Sequence, residues 1–192
     1  MFIAFEGPDK TGKSTSAANL AGNGEAIYNT TKDKHEVMQK DHLEAPEIPI
    51  TYDRIDWLTH MVYRLAMPGH EWNDARVRTV FAMPDTHLVF KIHTSASLIT
   101  DELYNMGDLV RVNAGYYYAS GMLAQINHEQ DYNLFKSITV MEVDHNQETG
   151  EFSQRLAIFD APGFPWGTQY EKLVHDDESL LDLLRYADQH LG

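Results

Sequence analysis

Phe2-Ile3-Ala4-Phe5-Glu6-Gly7-Pro8-Asp9-Lys10-Thr11-Gly12-Lys13-Ser14-Thr15 is the stretch from which the rest of the chain is read. An apolar run over Met1 to Glu6 stops at Gly7-Pro8, and a helix is predicted from near Gly12 to Ala21. Between them the letters satisfy G-x-x-x-x-G-K-[ST]. That pattern works because successive backbone N–H groups wrap phosphate oxygens, the helix N-terminus adds its dipole, and glycine lets the backbone approach closely. Lys13 then reaches the β- and γ-phosphates of a nucleoside triphosphate, and the Ser14 hydroxyl holds Mg²⁺. Gly7, Asp9, Lys10, Thr11, Gly12, Lys13, Ser14 and Thr15 are accordingly the candidate nucleotide-binding residues. Strand, glycine turn and helix are the context the loop requires.

Composition narrows what such a loop could serve. At 192 residues with 43% apolar content, the chain suits one domain built around one core. It contains no cysteine, which excludes disulfides, thiolate zinc sites and cysteine nucleophiles. The 29 acidic residues outweigh 15 basic ones, leaving a formal charge of −14 that repels anionic membranes and nucleic-acid polymers. A small nucleotide carried with Mg²⁺ fits that field better. No stretch is long and apolar enough for a membrane span or a secretory signal, so a cytoplasmic location is expected.

Along the chain, short apolar runs alternate with amphipathic segments, with no repeat or linker. Strands are predicted at Ala26 to Asn29, Ile48 to Tyr52 ending at Asp53, His87 to His93, Ser137 to Val143 and Leu156 to Phe159. Leu58, Met61, Val62 and Leu65 mark a helix over Trp57 to Ala66, stopped by Pro68-Gly69. Further helical patterns cover Asp74 to Phe81, residues 108 to 127 with interruptions at Gly115 and Gly121, and Asp177 to Leu191. Pro84-Asp85 reads as a turn. The whole predicts an α/β fold, a mostly parallel β-sheet flanked by helices, in which ligands bind at the carboxyl ends of strands. Gly7 and Asp53 fall at such ends.

A phosphate loop by itself does not separate kinases from switches or motors. The D-x-x-G letters of Asp160-Ala161-Pro162-Gly163 match a GTP switch, but no N-K-x-D base motif accompanies them. The opening stretch, with Asp9 at the third loop position, resembles that of thymidylate kinases within the P-loop kinase fold. Tyr52-Asp53-Arg54-Ile55 resembles the family's D-R-aromatic segment, and Val62-Tyr63 stands where the family has Ala-Tyr. Pro84-Asp85-Thr86-His87-Leu88-Val89-Phe90 resembles the strand before the lid, and Asp101-Glu102 with Leu109-Val110-Arg111-Val112 and Tyr116 the segment after it. Together the resemblance spans about residues 1 to 145.

The resemblance implies transfer of the ATP γ-phosphoryl, with Mg²⁺, to a deoxynucleoside monophosphate such as thymidylate or a modified pyrimidine nucleotide. Arg54 would touch the acceptor phosphate, and Asp53, with Ser14, would organise the metal. These roles suit an arginine fork and a strand-end carboxylate. The lid-like segment, about 94 to 108, has no arginine, which leaves Lys10 of the loop, beside Lys13, to meet the charge developing on the transferred group. Asp9, Arg54, Tyr63, Arg76 and Tyr116 are the candidate acceptor contacts.

The chain departs from the family between the loop and Asp53. From Thr15 to Tyr52 there is neither arginine nor phenylalanine, so the family's acceptor-base helix is missing. The short insert and lid suit a trimmed, viral form. The wider pool for acceptor recognition is Trp57, Tyr63, Trp72, Phe81, Tyr116 and Tyr117 for stacking, and Arg76, Arg78 and Arg111 for phosphate. His60, His70, His87 and His93 have no metal-ligand spacing. The tail from Glu151 onward lies outside the resemblance; completing a sheet edge or a homodimer contact are its candidate uses. Two other readings stay open, a P-loop kinase acting on a hydroxyl and a nucleotide-binding regulatory protein.

Overall fold

A computed structural model describes residues 1–21, 26–29, 50–72, 82–94, 106–129, 133–146, 148–164 and 173–191, with residues 26–29 defined as backbone. In chain order the elements are β1 (Phe2–Glu6), α1 (Lys13–Leu20), β2 (Ala26–Asn29), β3 (Ile50–Asp53) and α2 (Asp56–Ala66), followed by β4 (Met83–His93), α3 (Met106–Glu129), β5 (Phe135–His145), β6 (Phe152–Asp160) and α4 (Asp177–His190). The six strands form one sheet in the order β2-β3-β1-β4-β5-β6. All neighbours are parallel except β5 and β6. The expected class, an α/β fold with a mostly parallel sheet flanked by helices, is therefore found.

Strand periodicity separates two apolar layers. Phe2 and Ala4 of β1, with Leu88, Phe90 and Ile92 of β4, face the layer of α2 and α3. Ile3 and Phe5 of β1, with Val89 of β4, face the layer of α1 and α4. β1 and β4 are buried on both faces, which is why they read as continuous apolar runs rather than alternating ones. The central strands leave the phosphate loop at their carboxyl ends.

Several boundaries differ from expectation. Pro84 and Asp85 belong to β4 rather than to a turn, because the β4–β5 register is irregular between Met83 and His87 and spares the proline a ladder bond. α3 is unbroken over 24 residues. Gly115 serves close packing there, since a Cβ would stand 3.0 Å from Val62 of α2. In α2 the buried face includes Trp57, Leu58, Val62, Tyr63 and Ala66, whereas Leu65 is 62% exposed. The helix expected at Asp74 to Phe81 lies outside the described residues, as does most of the lid-like segment.

The tail supplies the sheet's antiparallel edge, β6, and the helix α4. Asp176 caps α4, its side chain accepting from the Ser179 amide at 2.8 Å in a reciprocal capping box. Its neighbour Asp177 reaches across to α1, accepting from Ser16 Oγ at 2.7 Å and from Asn19 Nδ2 at 2.8 Å. The acidic start of α4 thus also ties the tail to the helix that follows the phosphate loop.

Candidate active site

The loop after β1 turns on two glycines and one lysine with positive φ, Gly7 at 143°, Lys10 at 62° and Gly12 at 77°. Gly7 lies against β4, where a Cβ would come within 2.0 Å of the Lys91 carbonyl oxygen. Gly12 is the N-cap of α1, and among the described residues no side chain caps that helix, whose first turn contains no acid. The first-turn amides consequently keep their affinity for an anion.

Thr11 Oγ1 donates to the Pro8 carbonyl at 2.9 Å, closing the turn. Lys13 Nζ bonds the same carbonyl at 2.5 Å. Burial, reinforced by Arg54, pushes the Lys13 ammonium down to about 7 against the pull of Asp9, Glu6 and Asp53. Lys10 is exposed beside it. Parallel pairing of β1 with β3 carries Asp53 to the same sheet end, opposite Phe5. There Ser14 Oγ donates to Asp53 Oδ2 at 2.6 Å. A hydroxyl and a carboxylate side by side are hard oxygen ligands of the type Mg²⁺ takes, with phosphate oxygens and water completing its shell. Among the described residues no cluster of three or more His, Cys, Asp or Glu side chains could hold a metal.

Arg54 follows Asp53 at a φ of 82°, its amide donating to the Phe5 carbonyl at 2.9 Å. Its guanidinium pairs with Asp9 and contacts the Gly7 carbonyl at 3.3 Å and Tyr116 Oη at 3.4 Å. Burial opposes its charge, and Tyr116, Glu6 and Asp9 more than compensate, so its pKa is raised. A cavity of ≈ 300 Å³ is lined by Asp9, Lys10, Gly12, Lys13, Ser14, Thr15, Asp53 and Arg54. The structure thus brings together every loop and strand-end candidate. Gly7 and Thr11 belong to the same loop but do not line the cavity.

The acceptor candidates divide. Tyr116 is buried and joins Arg54, and Tyr63 packs edge-on against it at 6.4 Å. Trp57 is core, stacked on Phe135 at 6.4 Å. Trp72 donates to the Met67 carbonyl, and Tyr117 to Glu142. Arg111 is turned to the Ala66 carbonyl and to Asp108, away from the loop. Arg76, Arg78 and Phe81 lie outside the described residues.

Glu6 is a site residue that sequence reasoning passed over as the last letter of an apolar strand. It is fully buried and accepts from the Ile55 amide at 2.5 Å, from Thr59 Oγ1 at 2.9 Å and from Tyr116 Oη at 3.1 Å. Burial raises its pKa, with Arg54, the Ile55 amide, the Thr59 hydroxyl and Lys13 working the other way. Glu6 therefore orients the turn that carries Arg54. Glu6→Gln is expected to destabilise the fold by about 1–3 kcal/mol, because one buried donor loses its acceptor and Arg54 loses a nearby counter-charge. A lowered urea midpoint at unchanged m would show it. The detectable signal was a charge ending a run that is otherwise buried on both faces.

His93 is also buried at the loop, its Nε2 3.0 Å from the Asp9 carbonyl. A carbonyl only accepts, so Nε2 carries the proton and Nδ1, which has no partner among the described residues, is a bare acceptor.

No protein-family profile and no curated protein sequence matches the chain. Among solved structures it is similar to a deoxyadenosine kinase from M. mycoides with products dCMP and a flexible dCDP bound, at 13% identity and a TM-score of 0.46, over 70% of this chain and 88% of that one. It is similar to thymidylate kinase from Ehrlichia chaffeensis, at 15% identity and a TM-score of 0.46, over 77% and 89%. A third is the YorR protein from Bacillus subtilis, in complex with phosphorylated GDP, at 16% identity and a TM-score of 0.42, over 64% and 80%. At these scores the likeness assigns no activity to this chain.

Proposed function

We propose that the chain is an ATP- and Mg²⁺-dependent phosphotransferase acting on a small nucleotide, a deoxynucleoside monophosphate kinase. The observation that carries this reading is the 2.6 Å contact of Ser14 with Asp53, set beside Lys13 and Arg54 in one cavity at the carboxyl ends of β1 and β3. Lys13 and the first-turn amides of α1 would hold the donor's phosphates, and Ser14 and Asp53 its metal. Mg²⁺ held by Ser14 and Asp53 would supply charge neutralisation. Arg54, gripped by Asp9 and Tyr116, presents a preorganised fork to the acceptor phosphate, and exposed Lys10 can swing over the transferred group.

The test is ADP formation from Mg·ATP across a panel of deoxynucleoside monophosphates, with thymidylate and modified pyrimidine nucleotides included. Acceptor-dependent turnover supports the reading and identifies the base. Turnover only on nucleosides or other hydroxyl compounds would replace the acceptor class. Nucleotide binding without turnover on any acceptor would sink it.

Protonation gives an independent check. With its pKa near 7, Lys13 is mostly neutral at pH 8, whereas phosphate oxygens around it favour the charged form. Polyphosphate binding at pH 8 is therefore expected to take up roughly one proton, and affinity to fall as pH rises through 7 to 9. Calorimetry in two buffers of different ionisation heat reads the uptake, which Lys13→Ala should abolish.

A further inference from the structure

The peptide between Asp9 and Lys10 joins two loop residues that serve different partners in the proposed reaction. Asp9 pairs with Arg54 through its side chain, and Lys10 is the exposed cation of the phosphate cavity. Lys10 has a φ of 62°, a left-handed conformation that a residue with a Cβ keeps only where its surroundings hold it. Turning this one peptide plane changes the ψ of Asp9 and the φ of Lys10 together. Whatever fixes the plane therefore fixes the points from which both side chains depart.

Part of the loop is held from within, since Thr11 Oγ1 and Lys13 Nζ both donate to the Pro8 carbonyl. The next carbonyl, that of Asp9, is held from the neighbouring strand by His93 Nε2, 3.0 Å away at the end of β4. His93 is 3% exposed, and its main chain is bracketed by Asn113 of α3, which accepts from the His93 amide at 3.0 Å and donates to its carbonyl at 2.9 Å. The ring thus hangs from a fixed point.

Burial, with Lys13 and His145 nearby, keeps the imidazole below its ordinary pKa against the pull of the Asp9 bond and of Asp144. A neutral imidazole carries one proton, and the Asp9 carbonyl requires it on Nε2. A histidine that only ties strands together stands earlier in β4 for comparison: His87 spends its Nδ1 on Ser137 Oγ of β5 at 2.7 Å. His93 spends its donor on the loop instead.

We propose that His93 is a positioning residue for phosphoryl transfer, its Nε2–H locking the Asp9–Lys10 peptide so that Arg54 is set toward the acceptor phosphate and Lys10 toward the transferred group. The assignment rests on reading Arg54 as the arginine of the acceptor, and deepens that reading. The donor's phosphates are assigned to Lys13 and the first-turn amides of α1, which follow Thr11 and do not depend on this bond.

Two measurements on the full chain separate the roles: kinetics with the best of dAMP, dCMP, dGMP and dTMP as acceptor, and calorimetry of tripolyphosphate with Mg²⁺. His93→Phe, which keeps a ring and loses the donor, should lower kcat/KM for the acceptor at least about tenfold, chiefly through KM, the scale of one buried carbonyl left unpaired. Tripolyphosphate affinity should stay within about twofold, because its ligands keep their own bonds. His93→Gln, with a donor nitrogen at the same reach, should recover most of the acceptor kcat/KM. Nitrogen NMR of the wild-type chain at neutral pH should show the His93 ring neutral and protonated on Nε2, a readout that stands even where His93→Phe does not fold. A ring protonated on Nδ1, acceptor kinetics unchanged in His93→Phe, tripolyphosphate affinity lost in step with the acceptor, or His93→Gln as impaired as His93→Phe would each overturn the proposal while the kinase reading stands. Absence of turnover by wild type on every acceptor would instead remove the monophosphate-kinase reading, and this inference with it.

Discussion

Lys13→Ala is expected to lower acceptor-dependent ADP formation by on the order of 10³-fold while the protein stays folded. The size follows from where the charge sits. Lys13 is 5% exposed, and a point charge in a water-poor cavity stabilises developing phosphoryl charge far more than the same charge in solvent. Its ammonium bonds the Pro8 carbonyl, and phosphate oxygens in the cavity would compete for the same donors. Removing the side chain also removes a buried group whose charge is already disfavoured by burial and by Arg54. Stability should therefore change little or rise slightly. The decisive comparison is kcat/KM of wild type and variant on the best acceptor, alongside thermal unfolding of both. A variant that keeps activity within tenfold would show that Lys13 does not face the reacting phosphates, and a variant that loses activity only because it unfolds would show the same melting loss.

The second large effect concerns the backbone. Gly7→Ala is expected to destabilise the protein by about 4 kcal/mol, the sum of a strained positive φ and an overpacked contact. The clash is with the Lys91 carbonyl oxygen at 2.0 Å, main chain of the neighbouring central strand, which cannot rotate aside as a side chain would. Relief requires β1 and β4 to part or the loop to refold, and either damages the phosphate cavity. Urea unfolding reads the cost as a shifted midpoint. Gly150→Ala is the internal control, because Gly150 has a φ of 73° but open space around its Cβ position. It should lose only the conformational part, about 1 kcal/mol. Equal losses at the two sites would mean that β4 does not constrain the loop.

Lys13 and Gly7 are both legible in the sequence alone, since the spacing of Gly7, Gly12 and Lys13 is a local pattern with a local physical cause. Other features need long-range information. That Asp53 and Ser14 meet depends on β3 lying beside β1, although 39 positions separate them in the chain. The resemblance suggests the pairing, and sheet order produces it. Arg111 and Trp57, equally plausible by residue type, are turned to other partners by packing that no pattern of letters announces. Glu6 is concealed inside an apolar strand because a carboxylate there has meaning only once Ile55, Thr59 and Tyr116 surround it. Gly115 and Gly121 suggest breaks in α3 on intrinsic propensity, but the helix runs through both, with Gly115 packed against Val62 of α2.

The phosphate loop, the alternation of strands and helices and the acidic, cysteine-free character of the chain are legible in its letters, because each follows from neighbours in the chain or from composition. The role of the tail emerges only once the chain is folded. Asp177 finds Ser16 and Asn19, and Phe152 finds Gly12, across more than a hundred residues of chain, and such contacts arise from the packing of α4 and β6 on α1 rather than from any local preference.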